Sequence, residues 1–246
     1  MRLVESAEQA VENIASDELI WCHSMAATPT RLLGALARHA MARSNITLMQ
    51  LHLEHADAVT VPELDGHLMH RCFFAGKQTR ELINQGRADY VPFFLSELPK
   101  LFRRREQKVD TVLVQVSPPD GHGNCSLGIS VEATAAACEV AGRIIAHINP
   151  RMPRTHGDGF INVRNIHTAF ELEEPLLQTP ERQTGPAEDR IGEHVASLVE
   201  DGACLQMGIG AIPDAALRCA ASVIGSTWAF TRKCFPEVCC RLSKAV

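Results

Sequence analysis

No apolar run in this sequence reaches the roughly 18 residues that a membrane-spanning helix needs. The opening stretch carries Glu5 and Glu8 and no apolar core, so it lacks the marks of a signal peptide or an arginine-rich transit peptide. No block of Lys and Arg offers nucleic acid a basic face, and the net charge of -5 points the same way. Among the nine cysteines there is no paired C-x-x-C, and their irregular spacing argues against a disulfide framework or a zinc site. Reduced, mostly buried thiols are expected instead. No glycine cluster completes the dinucleotide fingerprint, so neither nicotinamide nor a metal is expected. These absences predict a cytoplasmic protein that holds any polyanionic ligand locally.

What is present suits a folded domain. With 46% hydrophobic and 22% charged residues, the 246-residue chain can build one core of up to about 200 residues and part of a second. Helical spacing of apolar residues runs over 7–14, with Ser6 placed to cap it, and again through Leu32, Leu33, Leu36 and Ala40 after Pro29. Further helices are expected over 77–85, 97–105, 132–142 and 189–200, and one opening at Pro213. Strands are expected over 18–22, 46–53, 109–116, 144–148, 170–172 and 203–207. The run 109–116 is almost continuously apolar, as in a strand covered on both faces. Such alternation predicts an α/β fold, a mainly parallel sheet with helices on both faces, doubly wound. Pro175, Pro180, Gly185 and Pro186 mark a linker in an otherwise polar stretch. The expected division is a first domain over 1–175, a linker over 176–186 and the start of a second, similar domain over 187–220.

Three segments carry chemistry. Directly after the apolar run come Ser117-Pro118-Pro119-Asp120-Gly121-His122-Gly123-Asn124-Cys125-Ser126-Leu127-Gly128, a shaped loop at a strand's carboxyl end, where α/β folds place ligands. A rigid turn with a solvated His122 is the plainer alternative. Next is Asn149-Pro150-Arg151-Met152-Pro153-Arg154-Thr155-His156-Gly157-Asp158, in which Arg151, Arg154 and His156 suit a phosphate or carboxylate, or simply solvent. The third is Met207-Gly208-Ile209-Gly210-Ala211-Ile212-Pro213-Asp214-Ala215. Its glycines let the backbone approach a ligand ahead of a helix whose free N–H groups favour negative charge.

In this order and spacing the three segments resemble the acetyl-CoA hydrolase/transferase family, and within it the 4-hydroxybutyrate CoA-transferases. Further matching words are Phe74-Ala75-Gly76, Gly86-Arg87-Ala88-Asp89-Tyr90 with Phe93, Phe94 and Leu95, and Ile191-Gly192-Glu193, so the resemblance runs from about residue 2 to 218. It departs at His23-Ser24-Met25-Ala26-Ala27-Thr28-Pro29, where family members carry a glycine-containing loop. The resemblance implies two similar α/β domains with the active site in the cleft between them, and homo-oligomeric full-length enzymes. It also implies coenzyme A as substrate, with no permanently bound cofactor, exchanged between an acyl-CoA and a short carboxylate. An active-site glutamate would pass through an acyl anhydride and a glutamyl-CoA thioester. Gly208, Ile209, Gly210, Ala211 and Ile212 match the CoA-binding loop, and Asp120, His122, Arg154 and His156 are the candidates for lining the cleft. A hydrolase differs only in letting water resolve the thioester; a fragment that merely binds CoA is the non-catalytic alternative.

The nucleophile itself is not expected in this chain. In the family it lies in a segment resembling Leu-Gly-Ile-His-Thr-Glu-Met-Phe-Ser, about twenty residues beyond the glycine loop. Here 221–246 shows no clean period and gathers Cys234, Cys239 and Cys240. From Trp228 onward, codons read one nucleotide upstream permit Gly, Ile, His, Thr, Glu, Met, Phe and Ser in that order, the Glu codon straddling Arg232 and Lys233. An out-of-frame tail is therefore expected over 221–246, against the alternative of a divergent but genuine terminus.

Overall fold

The structure, a computed structural model, describes residues 1–178, 183–200, 203–208, 210–223 and 229–232. It divides into two compact units, 1–178 and 179–246.

In the first unit, strands alternate with helices from the start. β1 (Arg2–Val4) leads to α1 (Ala7–Val11), whose N-cap Ser6 accepts from the Gln9 N–H at 3.3 Å. β2 (Leu19–Cys22) is followed by α2 (Thr30–Ala40), which buries Leu32, Leu33, Leu36 and Ala40 and ends on Arg38 and His39, cations suited to a helix C-terminus. β3 (Ile46–Gln50), β4 (Leu68–Cys72), α3 (Lys77–Asn84), β5 (Ala88–Tyr90) and α4 (Leu98–Arg103) come next. β6 (Thr111–Val116) is buried at all six positions, as its sequence predicts. Then come β7 (Asn124–Ser126), α5 (Thr134–Val140), β8 (Arg143–Ile148), β9 (Phe160–Asn162) and β10 (Thr168–Glu171).

Eight of these strands form one sheet in the order β1-β10-β8-β6-β2-β3-β4-β5, every neighbouring pair parallel. Two apolar layers cover it. One joins α1 and α2 to Ile20, Leu48, Leu113 and Ile145. The other joins α4 and α5 to Trp21, Val112, Val114 and Ile144. Helices on both faces explain why β6 and β8 read as mostly apolar runs. Trp21 anchors the second layer. Its ring lies 5.0 Å from Phe102 and 6.2 Å from Phe73, and its Nε1–H is satisfied by Thr134 Oγ1 at 3.0 Å.

At the amino ends of the strands a polar clasp ties three of them together. Arg143 Nη2 donates to both Glu18 carboxylate oxygens at 2.6 and 2.7 Å, its Nε reaches Thr111 Oγ1 at 3.1 Å, and Nη1 reaches the Asn13 carbonyl at 2.9 Å.

The direction of winding reverses once. From β2 the chain steps outward through β3, β4 and β5, then returns to lay β6 on the other side of β2 and proceeds through β8 and β10. The carboxyl ends of β2 and β6 therefore flank a topological switch point, the place where open α/β sheets hold ligands.

The second unit contributes α6 (Pro186–Ala196), β11 (Cys204–Met207), α7 (Ala211–Val223) and β12 (Ala229–Arg232), the two strands pairing in parallel. At the start of α6, the Glu188 side chain accepts from the Gly185 N–H at 3.0 Å. Gly192 lets α6 and α7 meet, since an added Cβ would lie 2.8 Å from the Ala215 carbonyl carbon. The helix expected to open at Pro213 begins two residues earlier, with Pro213 in its first turn, where a missing N–H costs nothing. Of the tail expected to be out of frame, only 221–223 and the backbone of Ala229–Arg232 are described.

Candidate active site

Three loops leave the carboxyl ends of the strands around the switch point. The β2–α2 loop, His23 to Pro29, turns on Met25, whose φ of +56° is the left-handed conformation that favours glycine. The glycine-free loop thus keeps a glycine-like backbone. Met25 N–H donates to the His52 carbonyl at 2.8 Å and pairs in parallel with Leu53. His23 is fully buried. Its Nε2 donates to the Ser130 carbonyl at 2.6 Å and its Nδ1 accepts from the Gln115 N–H at 3.3 Å, so both nitrogens are used by a neutral ring. Burial lowers its pKa below the usual histidine value.

The loop after β6 is organised by Asp120. Oδ1 accepts from the N–H groups of His122 at 2.9 Å and Asn124 at 2.8 Å, and Oδ2 accepts from Arg154 Nη2 at 2.6 Å. The Asn124 N–H, then that of His122, then the Arg154 charge hold the Asp120 carboxyl below the usual carboxylate range. Arg154 also donates to the Asn124 carbonyl at 2.9 Å and lies over Phe160, 4.6 Å from the ring centroid. β7 and β9 pair antiparallel behind this arrangement.

Of the four residues expected to line a cleft, Asp120 and Arg154 are therefore joined directly. His122 and His156 are exposed, and their rings have no hydrogen-bond partner among the described residues. In the second unit, Gly208, Gly210, Ala211 and Ile212 lie at the start of α7, Gly210 with a φ of +138°; Ile209 lies outside the described residues. Among the described residues no group of three or more His, Cys, Asp or Glu side chains is placed to hold a metal ion. None of the described helices is long and apolar enough to cross a membrane.

Beneath the loops lies a polar network that the motifs did not reveal. Asn149 is fully buried and its side chain makes four hydrogen bonds. Its Nδ2 donates to Gln115 Oε1 at 2.7 Å and to the Glu174 carbonyl at 2.9 Å, while Oδ1 accepts from the N–H groups of Arg151 at 3.0 Å and Glu174 at 3.3 Å. Gln115 Nε2 continues to the Ala27 carbonyl at 3.4 Å. The chain of bonds joins β6, the β2–α2 loop and the loop after β8 to the segment leaving β10. One signal was available: Gln115 and His147 interrupt apolar strand runs and sit opposite each other in the β6–β8 register.

Comparison with known proteins identifies the scaffold. Residues 1–201 match the model of the acetyl-CoA hydrolase/transferase N-terminal domain. The 4-hydroxybutyrate coenzyme A transferase of Clostridium kluyveri is 40% identical over 213 residues, covering 86% of this chain and 49% of that protein. A succinyl-CoA:acetate/propanoyl-CoA:succinate CoA transferase of Fasciola hepatica is 41% identical, covering 80% of this chain and 42% of its relative. The chain thus spans about half the length of the curated relatives it matches. Among solved structures, RipA from Yersinia pestis superimposes with a TM-score of 0.88 at 28% identity, over 99% of this chain and 58% of RipA. The 4-hydroxybutyrate CoA-transferase from Porphyromonas gingivalis gives a TM-score of 0.80 at 28% identity, covering 99% of this chain and 57% of its own. This chain belongs to the acetyl-CoA hydrolase/transferase family, whose N-terminal domain it carries.

Proposed function

We propose that the chain derives from an enzyme that moves coenzyme A between an acyl-CoA such as acetyl-CoA and a short carboxylate such as 4-hydroxybutyrate. The observation that carries this reading is the switch-point arrangement itself. Asp120 and Arg154 lock two family loops together at the carboxyl ends of the parallel strands, and the similar proteins carrying this scaffold include named CoA-transferases. In that reading Asp120 and Arg154 hold the loop wall, and the exposed rings of His122 and His156 face the substrates. The backbone from Gly208 through Ile209, Gly210, Ala211 and Ile212 holds CoA, with free N–H groups at the head of α7 suited to a phosphate or an oxyanion. In the complete enzyme a glutamate attacks the thioester carbonyl. CoA thiolate leaves and an acyl anhydride forms; the thiolate returns to the glutamyl carbonyl and releases the first carboxylate. A second carboxylate then expels the thiolate from the glutamyl-CoA thioester, forming a new anhydride, which the thiolate opens at the substrate carbonyl to free the glutamate.

We propose further that this chain does not itself turn over, because the segment bearing that glutamate is read out of frame beyond about residue 220. The sequence of the tail supports this reading, since eight consecutive residues of the family segment fit the permitted codons one nucleotide upstream. The nucleotide sequence over codons 215–246 decides it. A gene whose upstream frame does not spell His-Thr-Glu-Met-Phe-Ser sinks the idea, as does a covalent glutamyl-CoA adduct on the purified chain. With the frame restored, incubation with acetyl-CoA and 4-hydroxybutyrate or butyrate is expected to give acyl exchange. Accumulation of free CoA alone would instead favour a hydrolase, and CoA binding without either reaction a non-catalytic fragment. Full-length relatives are expected to be homo-oligomers by light scattering.

A further inference from the structure

Glu174 lies in the segment that leads away from the parallel sheet after β10, and it is held from several sides. Arg31 in the first turn of α2 donates Nε to its Oε2 at 2.8 Å, while Asn149 bonds its backbone N–H and carbonyl. Its other oxygen, Oε1, lies 3.7 Å from Nδ1 of His147. The His147 side chain is fully buried, its ring stacked on Phe170 with centroids 4.7 Å apart. Nε2 sits 2.8 Å from the Leu172 carbonyl, which can only accept, so in the neutral ring Nε2 carries the hydrogen and Nδ1 presents a bare lone pair. That buried Nδ1 has no hydrogen-bond partner, and what faces it is a carboxylate. A lone pair against an anion gains nothing; a proton on Nδ1 is attracted by that carboxylate, and an approach of several tenths of an ångström from 3.7 Å makes the contact a charge-assisted hydrogen bond.

We propose that His147 and Glu174 form a proton-operated latch on the exit from the sheet: a proton taken up from solvent at His147 Nδ1 bonds the Glu174 carboxylate and fastens residues 172–174 to β8. When the proton leaves, Arg31 and Asn149 hold the segment without it. The charges around the ring are few. Glu174 from the exit segment attracts the proton and Arg31 from α2 opposes it. Gln115, the cross-strand neighbour on β6, is uncharged, and on α1 Glu8 is engaged by Arg38. Glu171, at the end of β10, is exposed. Burial outweighs Glu174, so the ring titrates below its ordinary value of 6.5 and the latch closes on acidification.

The test follows the His147 ring by NMR in the full chain, together with amide exchange over 172–174, corrected for intrinsic chemistry, from about pH 8 to about pH 5. Glu174→Gln keeps the shape of the side chain and removes its charge. It is expected to lower the His147 midpoint by about one unit; by reciprocity, acid then slows exchange of the segment about tenfold in the unaltered chain and hardly at all in the variant. His147→Gln, which retains an N–H for the Leu172 carbonyl, is expected to abolish the acid-dependent slowing. Equal midpoints with and without the Glu174 charge overturn the proposal, and so does slowing that survives in His147→Gln.

Discussion

Gly128 has a φ of +69°, and a Cβ added there would fall 2.1 Å from Met152 Sδ and 3.2 Å from the Pro153 carbonyl. One hydrogen atom in place of a methyl group lets the loop after β6 and the loop after β8 touch. Gly128→Ala is therefore expected to destabilise the first unit by about 1–3 kcal/mol in urea titrations, since both the backbone and Met152 must shift. Asp120 acts at the same place by charge. Its carboxylate, held below the ordinary value of 3.8 chiefly by the Asn124 and His122 N–H groups, supports the loop above that range, and the support is lost as pH falls through the depressed value. Asp120→Ala is expected to speed amide exchange at His122 and Asn124 while leaving β6 protected. Equal exchange rates in both proteins would show that backbone turns alone shape the loop.

The clasp of Arg143, Glu18 and Thr111 works at the scale of elements, because it ties β8 and β6 to the turn that begins β2. The Arg143 and Glu18 side chains are 23% and 14% exposed, so losing one partner leaves the other's charge poorly solvated. Glu18→Leu is expected to cost about 2–4 kcal/mol and the double variant Glu18→Leu/Arg143→Leu less than the sum of the two, as a double-mutant cycle would reveal. Which elements the sequence announced follows from the same physics. β6 and β8 are buried on both faces, so their apolar runs are plain. β4 was not expected, because His70 and Arg71 break its pattern. The structure shows that His70 is a buried residue in disguise, satisfied by Gln50 Nε2 at 2.8 Å and by the Val59 carbonyl at 2.7 Å. β1, β7 and β9 have three residues each, too few for a period to register.

For the whole molecule the buried histidines set the response to acid. His23, His70 and His147 all have pKa values lowered by burial from 6.5, so the unfolded chain takes up protons that the folded chain refuses. Stability is expected to be full above that value and to fall as pH drops below it, read as a lower urea midpoint at about pH 5 than at about pH 7.5. The latch at Glu174 would tighten locally over the range in which the fold as a whole weakens. Much of the candidate site was visible beforehand, since the Asp120 and Arg154 loops announce themselves through proline, glycine and charge. The network through Gln115, His147, Asn149 and Glu174 was not, because its members lie in strands or at their ends, and most of their partners, backbone and side chain alike, are far away in sequence. The same long-range pairing constrains how the chain can be made. β1 occupies the sheet edge beside β10, with Arg2 opposite Thr168. β1 must therefore wait during synthesis for about 165 further residues, on the order of 10–30 s at ordinary rates, before its partner exists. Until then its backbone N–H and carbonyl groups, and the apolar stripe of α1 behind it, are open to whatever holds nascent chains.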